Sequence, residues 1–469
     1  MNGGNREIGI VGLGVMGRNL ALNIAEKGFS VAGYDVDRKQ ADALNREAEG
    51  RPAAGAADLR EMVRLLRQPV AVIMLVPAGP PVDAVVDSLL PLLRPGDLLI
   101  DMGNSYFKDT DARIRRLDER GILYMGVGIS GGQRGARFGP SIMPGGPETG
   151  YARVRPIFEA AAAKVDGEPC VARLGPGSTG HYVKMVHNGI EYAMMQLIAE
   201  SYDLMKRGLS LPNERLKDIY GRWSESDFGG FLMGITARIF EKKDEASGRF
   251  LVDMIVDEAQ QKGTGKWTVQ DAMDLRAPVP AMGSAVHMRD MSDLRGERLE
   301  AAGALTGPDG RLSEDEGRFV ERLGRAMGAA MVIVYSQGMA QLAAASRRYG
   351  YGLRLEETAK IWRGGCIIRS SLLEPIRRAF HERPDLKNLL LDPFLGKMAA
   401  SSQADLRAVA AAAAASGIPA PCLASCLAYF DAYRSAWLPA NLVQAQRDYF
   451  GAHRYRRLDR EGSFHTEWE

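Results

Sequence analysis

One stretch of the chain, residues 181–192, carries four polar side chains whose spacing fits one face of a helix. Lys184, Asn188 and Glu191 follow i, i+4, i+7 spacing, and His187 lies close beside them. Near the N-terminus of a helix, the helix dipole and partial desolvation both favour a neutral lysine amine, which can act as a base. Glu191 can deliver a proton at a later step. The pattern therefore predicts acid-base catalysis by Lys184 and Glu191.

A solvated polar stripe on a surface helix is the alternative interpretation of this spacing. Gly189, however, lies inside the predicted helix, where glycine costs about 1 kcal/mol relative to alanine. Close packing of another element at this position would account for the glycine. The helix is preceded by a glycine-rich, amide-rich entrance at residues 175–180.

A second group of candidate residues lies near the amino terminus, between a predicted strand and a predicted helix. A G-x-G-x-x-G motif in this context permits a tight turn, close approach of the backbone to a pyrophosphate, and close packing of helix on strand. Free amides and the helix dipole then hold the phosphates. The motif predicts a dinucleotide site, with a purely structural glycine turn as the alternative. Its residues are Gly12, Leu13, Gly14, Val15, Met16 and Gly17.

The identity of the dinucleotide depends on the end of the second predicted strand. Asp35 lies a little over the ~20 residues beyond the glycines at which an acidic residue normally bonds the adenosine ribose. Asp35 and Asp37 would repel the 2′-phosphate of NADP, which carries about −1.5 to −2 charges. Arg38, the adjacent cation, would either offset part of this repulsion or stack on the adenine. The sequence therefore predicts NAD, with NADP as the alternative.

The elements that must position these residues follow from the hydrophobic pattern. Short β-rich runs alternate with helical patterns up to about residue 174, which predicts an α/β domain of the Rossmann type with a mostly parallel, doubly wound sheet. The predicted strands are residues 8–11, 31–34, 70–76, 98–101 and 122–127. Long apolar-periodic segments after residue 180 predict an all-helical domain. We expect three parts: residues 1–178, 179–435 and 436–469.

Two further polar segments follow strands of the same predicted sheet, where open α/β sheets bind ligands. Residues 101–105 read Asp-Met-Gly-Asn-Ser, and residues 128–132 read Gly-Ile-Ser-Gly-Gly. Both segments supply amides and short polar side chains. We expect them near the nicotinamide end of the dinucleotide.

The helical part contains two short segments of similar sequence, called the sequence echo below. Residues 215–220 follow one long helical segment much as residues 357–362 follow another. A duplicated helical unit and a chance likeness between amphipathic helices account for this about equally well. The segment 436–469 is aromatic and charged and too short to bury itself. Such a tail usually frays, but its aromatic content indicates docking, for example on another subunit.

Composition excludes several classes of partner. Sixty Lys and Arg balance 58 Asp and Glu, and this net charge of +2 gives no bulk reason to expect nucleic acid or an acidic membrane. Four scattered cysteines indicate a reducing compartment. Cys422 and Cys426 lie one turn apart without further ligands nearby, so no metal site is predicted. Residues 1–7 do not have the pattern of an export signal. No apolar run approaches the roughly 20 residues that span a bilayer. The sequence therefore predicts a soluble cytoplasmic protein.

At these residues the chain resembles the family of decarboxylating 6-phosphogluconate dehydrogenases. The resemblance rests on residues 100–105, 130–132, 181–192, 262–267 and 446–453, and it extends to residues 464–468. It implies that Lys184 is the general base and Glu191 the general acid. It also implies sugar-acid contacts from Asn104, Ser130, Gly131, Gly132, His187 and Asn188. The phosphate end would be held by Tyr192, Lys262, Arg289, Arg447 and His453, the last two reaching in from a partner's tail in a homodimer.

The reaction implied by this resemblance is the oxidative decarboxylation of 6-phosphogluconate to ribulose 5-phosphate and CO₂ in the pentose phosphate pathway, with hydride transfer to NAD. The expected cofactor contacts beyond the glycine motif and Asp35 are Val36, Arg38, Val76, Pro77, Ala78 and Asn104. NADP-using members carry an Asn-Arg-Ser/Thr run where this chain has Asp35, Val36 and Asp37. Pro77 replaces a lysine common in the family. Both departures favour NAD. Met102 also replaces a usual glycine, and His287 and Met288 precede Arg289 where smaller or aromatic residues are usual.

Two other functions remain as alternatives. A related β-hydroxyacid dehydrogenase would act on a short, unphosphorylated acid, but such enzymes resemble only the first part of this chain. A non-catalytic nucleotide-binding sensor could use the same fold, but Lys184 and Glu191 argue against it.

Overall fold

The structure is a computed structural model that describes residues 5–469. Residues 1–4 belong to the predicted nucleotide domain and to the amino-terminal segment predicted to lack an export signal, and they lie outside the described residues. Within the described range, no helix combines the length and apolar character that crossing a membrane requires.

The alternating runs of the first third form a seven-stranded sheet of order β3-β2-β1-β4-β5-β6-β7. Strands β1 to β6 are parallel, and β7 pairs antiparallel with β6. Because the strand order reverses at β1, a crevice opens there at the carboxyl ends of the strands. The Rossmann-type prediction is confirmed. The strands are β1 (Ile8–Val11), β2 (Val31–Tyr34), β3 (Ala53–Gly55), β4 (Ala71–Met74), β5 (Leu98–Asp101), β6 (Leu123–Ser130) and β7 (Ser141–Pro144), followed by the hairpin of β8 (Lys164–Val165) and β9 (Glu168–Pro169).

One predicted loop is in fact a strand. The sequence prediction ended this strand at residue 127, but β6 continues to Ser130, so that Gly128 and Ser130 lie within the sheet. They pair there with Met143 and Ser141 of β7. The sequence analysis did not predict β7, whose residues pair antiparallel with the end of β6.

Helices cover both faces of the sheet and bury its apolar side chains. Leu20 and Ile24 of the first helix pack on one face, and Val82 and Val86 of the fourth pack on the other. This two-sided burial explains the nearly continuous apolar runs of the parallel strands. The helices are α1 (Val15–Glu26), α2 (Arg38–Ala48), α3 (Leu59–Leu65), α4 (Pro80–Leu89), α5 (Phe107–Asp118), α6 (Gly132–Phe138) and α7 (Glu148–Ala161).

The rest of the described chain is helical, as predicted. Its two longest helices, α8 and α14, pack against each other, and α14 is buried around most of its circumference. The two segments of the sequence echo lie in α9 and α15, where Tyr220 and Trp362 are fully buried. The helices are α8 (Thr179–Asp203), α9 (Asn213–Ser224), α10 (Phe231–Ile239), α11 (Thr264–Asp274), α12 (Pro280–Asp293), α13 (Arg295–Ala304), α14 (Glu316–Tyr349), α15 (Leu355–Trp362), α16 (Leu373–Glu382), α17 (Pro393–Ser416), α18 (Pro421–Arg434) and α19 (Ala440–Gly451).

Helix α8 lies directly on the sheet. A Cβ atom on Gly180 would come within 2.2 Å of the Met143 carbonyl oxygen and 2.3 Å of the Gly126 carbonyl oxygen. A Cβ on Gly128 of β6 would lie 2.4 Å from the Cβ of Lys184. Backbone therefore packs on backbone at Gly180, and the Lys184 side chain packs on the backbone of Gly128.

The carboxyl-terminal tail is ordered by its own contacts. Tyr455 and Phe464 exchange two backbone hydrogen bonds of 2.8 Å. The Asp448 carboxylate accepts hydrogen bonds from the Arg454 and Thr466 amides and from the Trp468 indole. Exposed apolar side chains, including Leu442, Val443 and Phe450, cover much of α19. This apolar surface is typical of an element that packs on another chain.

The contact between α8 and the sheet leads to a stability prediction. Gly180→Ala places a methyl group against two backbone carbonyls, so we expect the free energy of unfolding to fall by about 1–3 kcal/mol. Denaturant unfolding measures the change. Gly221→Ala in α9 is the control, because no atom would lie within 4 Å of its new Cβ. There alanine should stabilise by up to about 1 kcal/mol. Equal effects at both positions would contradict the packing described here.

Candidate active site

Lys184 is the buried centre of the candidate site. It lies on the second turn of α8, its residue is 6% exposed, and its Nζ is 3.5 Å from Nδ1 of His187. Burial lowers the pKa of Lys184, although the Glu191 carboxylate opposes this shift. A charged amine is costly in such a low-dielectric position. The site therefore favours a neutral lysine that can accept a proton.

His187 connects Lys184 to the sheet and to Glu191. Its Nε2 is 3.3 Å from the Ser130 hydroxyl of β6, and its Nδ1 is 3.7 Å from a Glu191 carboxylate oxygen. Trp362 contacts the imidazole edge-on, with ring centroids 5.6 Å apart. Burial and the charge of Lys184 hold the pKa of His187 well below its usual value. The imidazole is therefore neutral and acts as a hydrogen-bonding partner.

Glu191 completes the acid-base face of α8. Its side chain is 19% exposed, and burial raises its pKa, while the charges of Lys184 and Arg289 act in the opposite direction. The raised pKa favours the protonated acid, which is the form that donates a proton. One low-dielectric environment thus favours the neutral form of both the base and the acid.

Helix α11 supports this face from the side. The Asn188 amide donates a 3.0 Å hydrogen bond to the hydroxyl of Thr264, and a Cβ on Gly189 would lie 2.5 Å from Thr268. This close approach explains the glycine within α8. The sequence did not identify Thr264 or Trp362 as part of the site. Thr264 lies in the 262–267 motif, which was a usable signal, whereas Trp362 gave none.

Tyr192 and Arg289 lie together beyond Glu191. The Arg289 guanidinium lies over the Tyr192 ring, 4.6 Å from its centroid, and donates to the Gln260 carbonyl at 3.0 Å. Lys262 is exposed in the loop before α11. A hollow of about 570 Å³ opens beside Arg289. Cationic and hydroxyl groups at this end of the site suit a phosphate group.

The glycine motif has the geometry of a dinucleotide turn. Gly12 has φ of 92°, and a Cβ on Gly17 would lie 1.8 Å from the Gly12 carbonyl oxygen, so helix α1 packs tightly on β1. No atom would lie within 4 Å of a Cβ on Gly14, so the backbone faces open space there. Val15 and Met16 begin α1, whose first amides point toward this space. These residues fit a bound pyrophosphate.

Asp35 lies beside this turn at the end of β2. Its carboxylate accepts the Leu13 amide at 2.6 Å and the Asp37 amide at 2.9 Å. Asp35 is half-buried, and a carboxylate has further lone pairs for ribose hydroxyl groups. Val36 is 91% exposed and Arg38 is also exposed. Asp35 and Asp37 therefore lie beside the glycine turn, just beyond the carboxyl end of β2.

The remaining predicted residues separate into two groups. Val76, Pro77 and Ala78 follow β4, Asn104 follows β5, and Gly131 and Gly132 follow β6, so all lie at the carboxyl edge of the sheet. Arg447 and His453 are exposed on the tail. Within residues 5–469, no hydrogen bond or ion pair joins these two to the α8 face. The described residues also contain no group of three His, Cys, Asp or Glu side chains arranged for a metal ion.

Family models match almost the entire chain. Residues 7–175 match the NAD binding domain of 6-phosphogluconate dehydrogenase, and residues 180–468 match the 6-phosphogluconate dehydrogenase C-terminal domain. The chain belongs to the 6-phosphogluconate dehydrogenase family. This result confirms the resemblance inferred from the motifs.

Individual members of the 6-phosphogluconate dehydrogenase family are similar over their full length. The NADP(+)-dependent, decarboxylating 6-phosphogluconate dehydrogenase of Bacillus subtilis is 48% identical over 464 residues, covering 99% of each chain. The decarboxylating enzyme of Escherichia coli is 47% identical with the same coverage. The Plasmodium falciparum 6-phosphogluconate dehydrogenase, solved with NADP+ and with 6-phosphogluconate, superposes with a TM-score of 0.94 at 41% identity, covering 98% of this chain and 100% of that one.

The opposed pKa shifts on α8 lead to a prediction about pH. Glu191→Gln removes a proton donor, so kcat should fall by about 10²- to 10⁴-fold. The substitution also removes the charge that raises the pKa of Lys184. Because Lys184 acts as a base, activity rises as pH passes its pKa. The acid limb of the kcat/KM profile should therefore move to lower pH.

A pH series of kcat/KM for wild type and Glu191→Gln measures this limb. Glu245→Gln, at an exposed site far along the chain, is the control and should leave the profile unchanged. An acid limb that moves to higher pH, or stays in place, would contradict the proposed coupling between the two side chains.

Proposed function

We propose that this protein oxidatively decarboxylates 6-phosphogluconate to ribulose 5-phosphate and CO₂, with hydride transfer to NAD. The observation that carries this proposal is a buried Lys184 of lowered pKa, placed beside Glu191 at the carboxyl edge of a dinucleotide-binding sheet. The family membership supports the same reaction. The proposed setting is the pentose phosphate pathway in the cytoplasm, which agrees with four free, buried cysteines.

The proposed chemistry begins with proton transfer to Lys184. The neutral amine takes the proton of the C3 hydroxyl group, and the bound nicotinamide supplies the hydride acceptor. Oxidation at C3 leaves a carboxylate β to a ketone, and such acids lose CO₂ readily. Protonated Lys184 then donates a hydrogen bond to the carbonyl oxygen as the enediol forms. Glu191 protonates the carbon that lost CO₂, which is C2 of the substrate and C1 of the product, and completes ribulose 5-phosphate.

The substrate's polar groups match side chains around this face. Asn104, Ser130, Gly131, Gly132, His187 and Asn188 are proposed to hold the sugar acid. Tyr192, Lys262 and Arg289 are proposed to hold its phosphate. The cation-π contact between Arg289 and Tyr192 supports this assignment, because it holds the guanidinium beside Glu191.

The preference for NAD rests on the end of β2. Asp35 and Asp37 carry two negative charges there, and Val36 projects into solvent between them. A ribose with two hydroxyl groups would satisfy Asp35, whereas a 2′-phosphate would lose its hydration and meet like charge. The NADP dependence named for the Bacillus subtilis relative is the alternative, and Arg38 is the residue that would support it.

We also propose that the protein is a homodimer in which residues 436–469 of one subunit complete the site in residues 1–435 of the other. Arg447 and His453 would then reach the substrate phosphate from the partner. The exposed apolar surface of α19 and the hollow beside Arg289 support this arrangement. The domain boundaries at residues 178 and 435 are part of the same proposal.

The two alternative functions make different demands. A dehydrogenase for short, unphosphorylated acids would not need Lys262, Arg289 or the tail, and it would turn over gluconate at a comparable rate. A sensor would bind nucleotide without turnover. Lys184→Ala distinguishes a sensor from an enzyme. In an enzyme the substitution abolishes turnover and leaves the affinity for nucleotide unchanged.

Cofactor preference has a direct test. We expect kcat/KM for NAD to exceed that for NADP by at least about tenfold, which is ~1.4 kcal/mol. Combining Asp35→Asn, Val36→Arg and Asp37→Ser removes two like charges and adds a guanidinium for the 2′-phosphate, so the preference should reverse. Absorbance of the reduced cofactor with 6-phosphogluconate measures both constants. Asp42→Asn on α2 controls for the loss of a nearby exposed carboxylate and should leave the preference unchanged. A wild-type preference for NADP would refute the assignment of Asp35.

The shared tail is tested by mixing two inactive variants. Lys184→Ala and Arg447→Ala should each be inactive alone. In a mixed dimer the intact Lys184 meets an intact partner tail at one of two sites, so the isolated mixed dimers should have about half of wild-type activity. Co-expression with two affinity tags isolates the mixed dimers. Inactive mixed dimers, or a fully active monomer after size separation, would contradict the shared tail.

A further inference from the structure

Arg113 of α5 is buried beside the nucleotide site and has no role in the chemistry above. Its side chain is 5% exposed. Nε and Nη2 donate to the two carboxylate oxygens of Asp83 at 2.7 and 2.9 Å, and Nη2 also donates to the Gly79 carbonyl at 3.1 Å. Asp83 lies in the first turn of α4, and Gly79 immediately precedes that helix. One guanidinium therefore fixes the end of the cofactor loop, defined here as residues 75–79.

The other face of the same guanidinium lies against a second loop. Nη1 is 3.7 Å from a carboxylate oxygen of Asp101, and it has no hydrogen-bond partner among the described residues. Asp101 ends β5 and is fully buried. Its carboxylate accepts the Gly103 amide at 3.0 Å and the Ser105 hydroxyl at 2.6 Å. These bonds shape the loop that presents Asn104 to solvent.

Asp101 also reaches the catalytic helix. Its backbone carbonyl lies 2.9 Å from Nε2 of His181, one turn before Lys184 on α8. Burial lowers the pKa of His181, so the ring is neutral and donates from Nε2 to this carbonyl. Nδ1 then accepts from the Thr110 hydroxyl of α5 at 2.7 Å. Hydrogen bonds and the ion pair between Arg113 and Asp101 thus connect the cofactor loop, the Asn104 loop and α8.

We propose that Arg113 and Asp101 are positioning residues that set the distance between the nicotinamide cofactor and Lys184. Their contacts are with the loops and the helix that carry the binding groups. Charge-assisted hydrogen bonds in a buried setting resist displacement, and a shift of about 1 Å at the reacting groups can cost about 10²-fold in rate. The inference deepens the proposed function and rests on it.

Arg113→Lys is the main test, because it keeps the charge but loses the two-pronged contact with Asp83. We expect KM for the nicotinamide cofactor to rise about tenfold and kcat to fall. The dissociation constant of the reduced cofactor, followed by its fluorescence without sugar acid, should rise in parallel. Arg116→Lys is the matched control. Arg116 pairs with Asp87 on the same two helices one turn further on, and that pair is exposed. This control should retain wild-type constants.

Asp83→Asn is a second variant for the case in which Arg113→Lys does not fold. Asp83 is 45% exposed, and the substitution leaves Arg113 in place beside Asp101. It should raise the cofactor KM with little change in melting temperature. A lowered melting temperature with unchanged KM and kcat in the folded variants would reduce the network to a structural role and overturn the proposal. The wild-type assay separates this result from a failure of the proposed function, because only the latter abolishes turnover of 6-phosphogluconate in the parent protein.

Discussion

The direct contact between α8 and strands β6 and β7 is the constraint on which the rest of the site depends. Gly180 lets the backbone of α8 approach backbone atoms of the sheet, and Gly128 leaves room for the Lys184 side chain, so Lys184 is buried against the sheet instead of projecting into water. Burial changes the chemistry of the amine, because a charge is costly in a medium of low polarity. The same contact brings His187 to the Ser130 hydroxyl of β6. The glycines at the contact are thus responsible for the burial that lowers the pKa of Lys184.

The electrostatic organisation of the site follows from this burial. Lys184 and Glu191 would attract each other as a charged pair in water, yet burial shifts both pKa values toward the neutral forms. Trp362 closes the site behind His187 and excludes solvent from the imidazole. The shifts leave Lys184 able to accept a proton and Glu191 able to donate one. The glycine turn differs, because Asp35 is only half-buried there and its carboxylate accepts a hydrogen bond from the Leu13 amide.

Local patterns in the sequence predicted most of the fold and much of the site, and the failures share one physical cause. The glycine motif, Asp35 and the spacing of Lys184 and Glu191 are local signals, and the structure brings them to one edge of the sheet. Strand β7 and the continuation of β6 to Ser130 depend on pairing between strands. Contacts between residues distant in the sequence leave no periodic pattern, and this applies to Thr264, Trp362 and Arg113. Gly189 was informative because its cost as a helix residue implied a neighbour, which is Thr268.

The seam between α8 and the sheet also limits how the molecule can move. A Cβ atom on Gly180 would lie within 2.6 Å of three backbone atoms of the sheet domain, so α8 has little room to slide over the strands there. We therefore expect the movements that open the site to involve residues 253–260, which are exposed. We expect Lys184 and its neighbours on α8 to stay fixed through the reaction cycle, while residues 253–260 govern the entry and departure of small molecules.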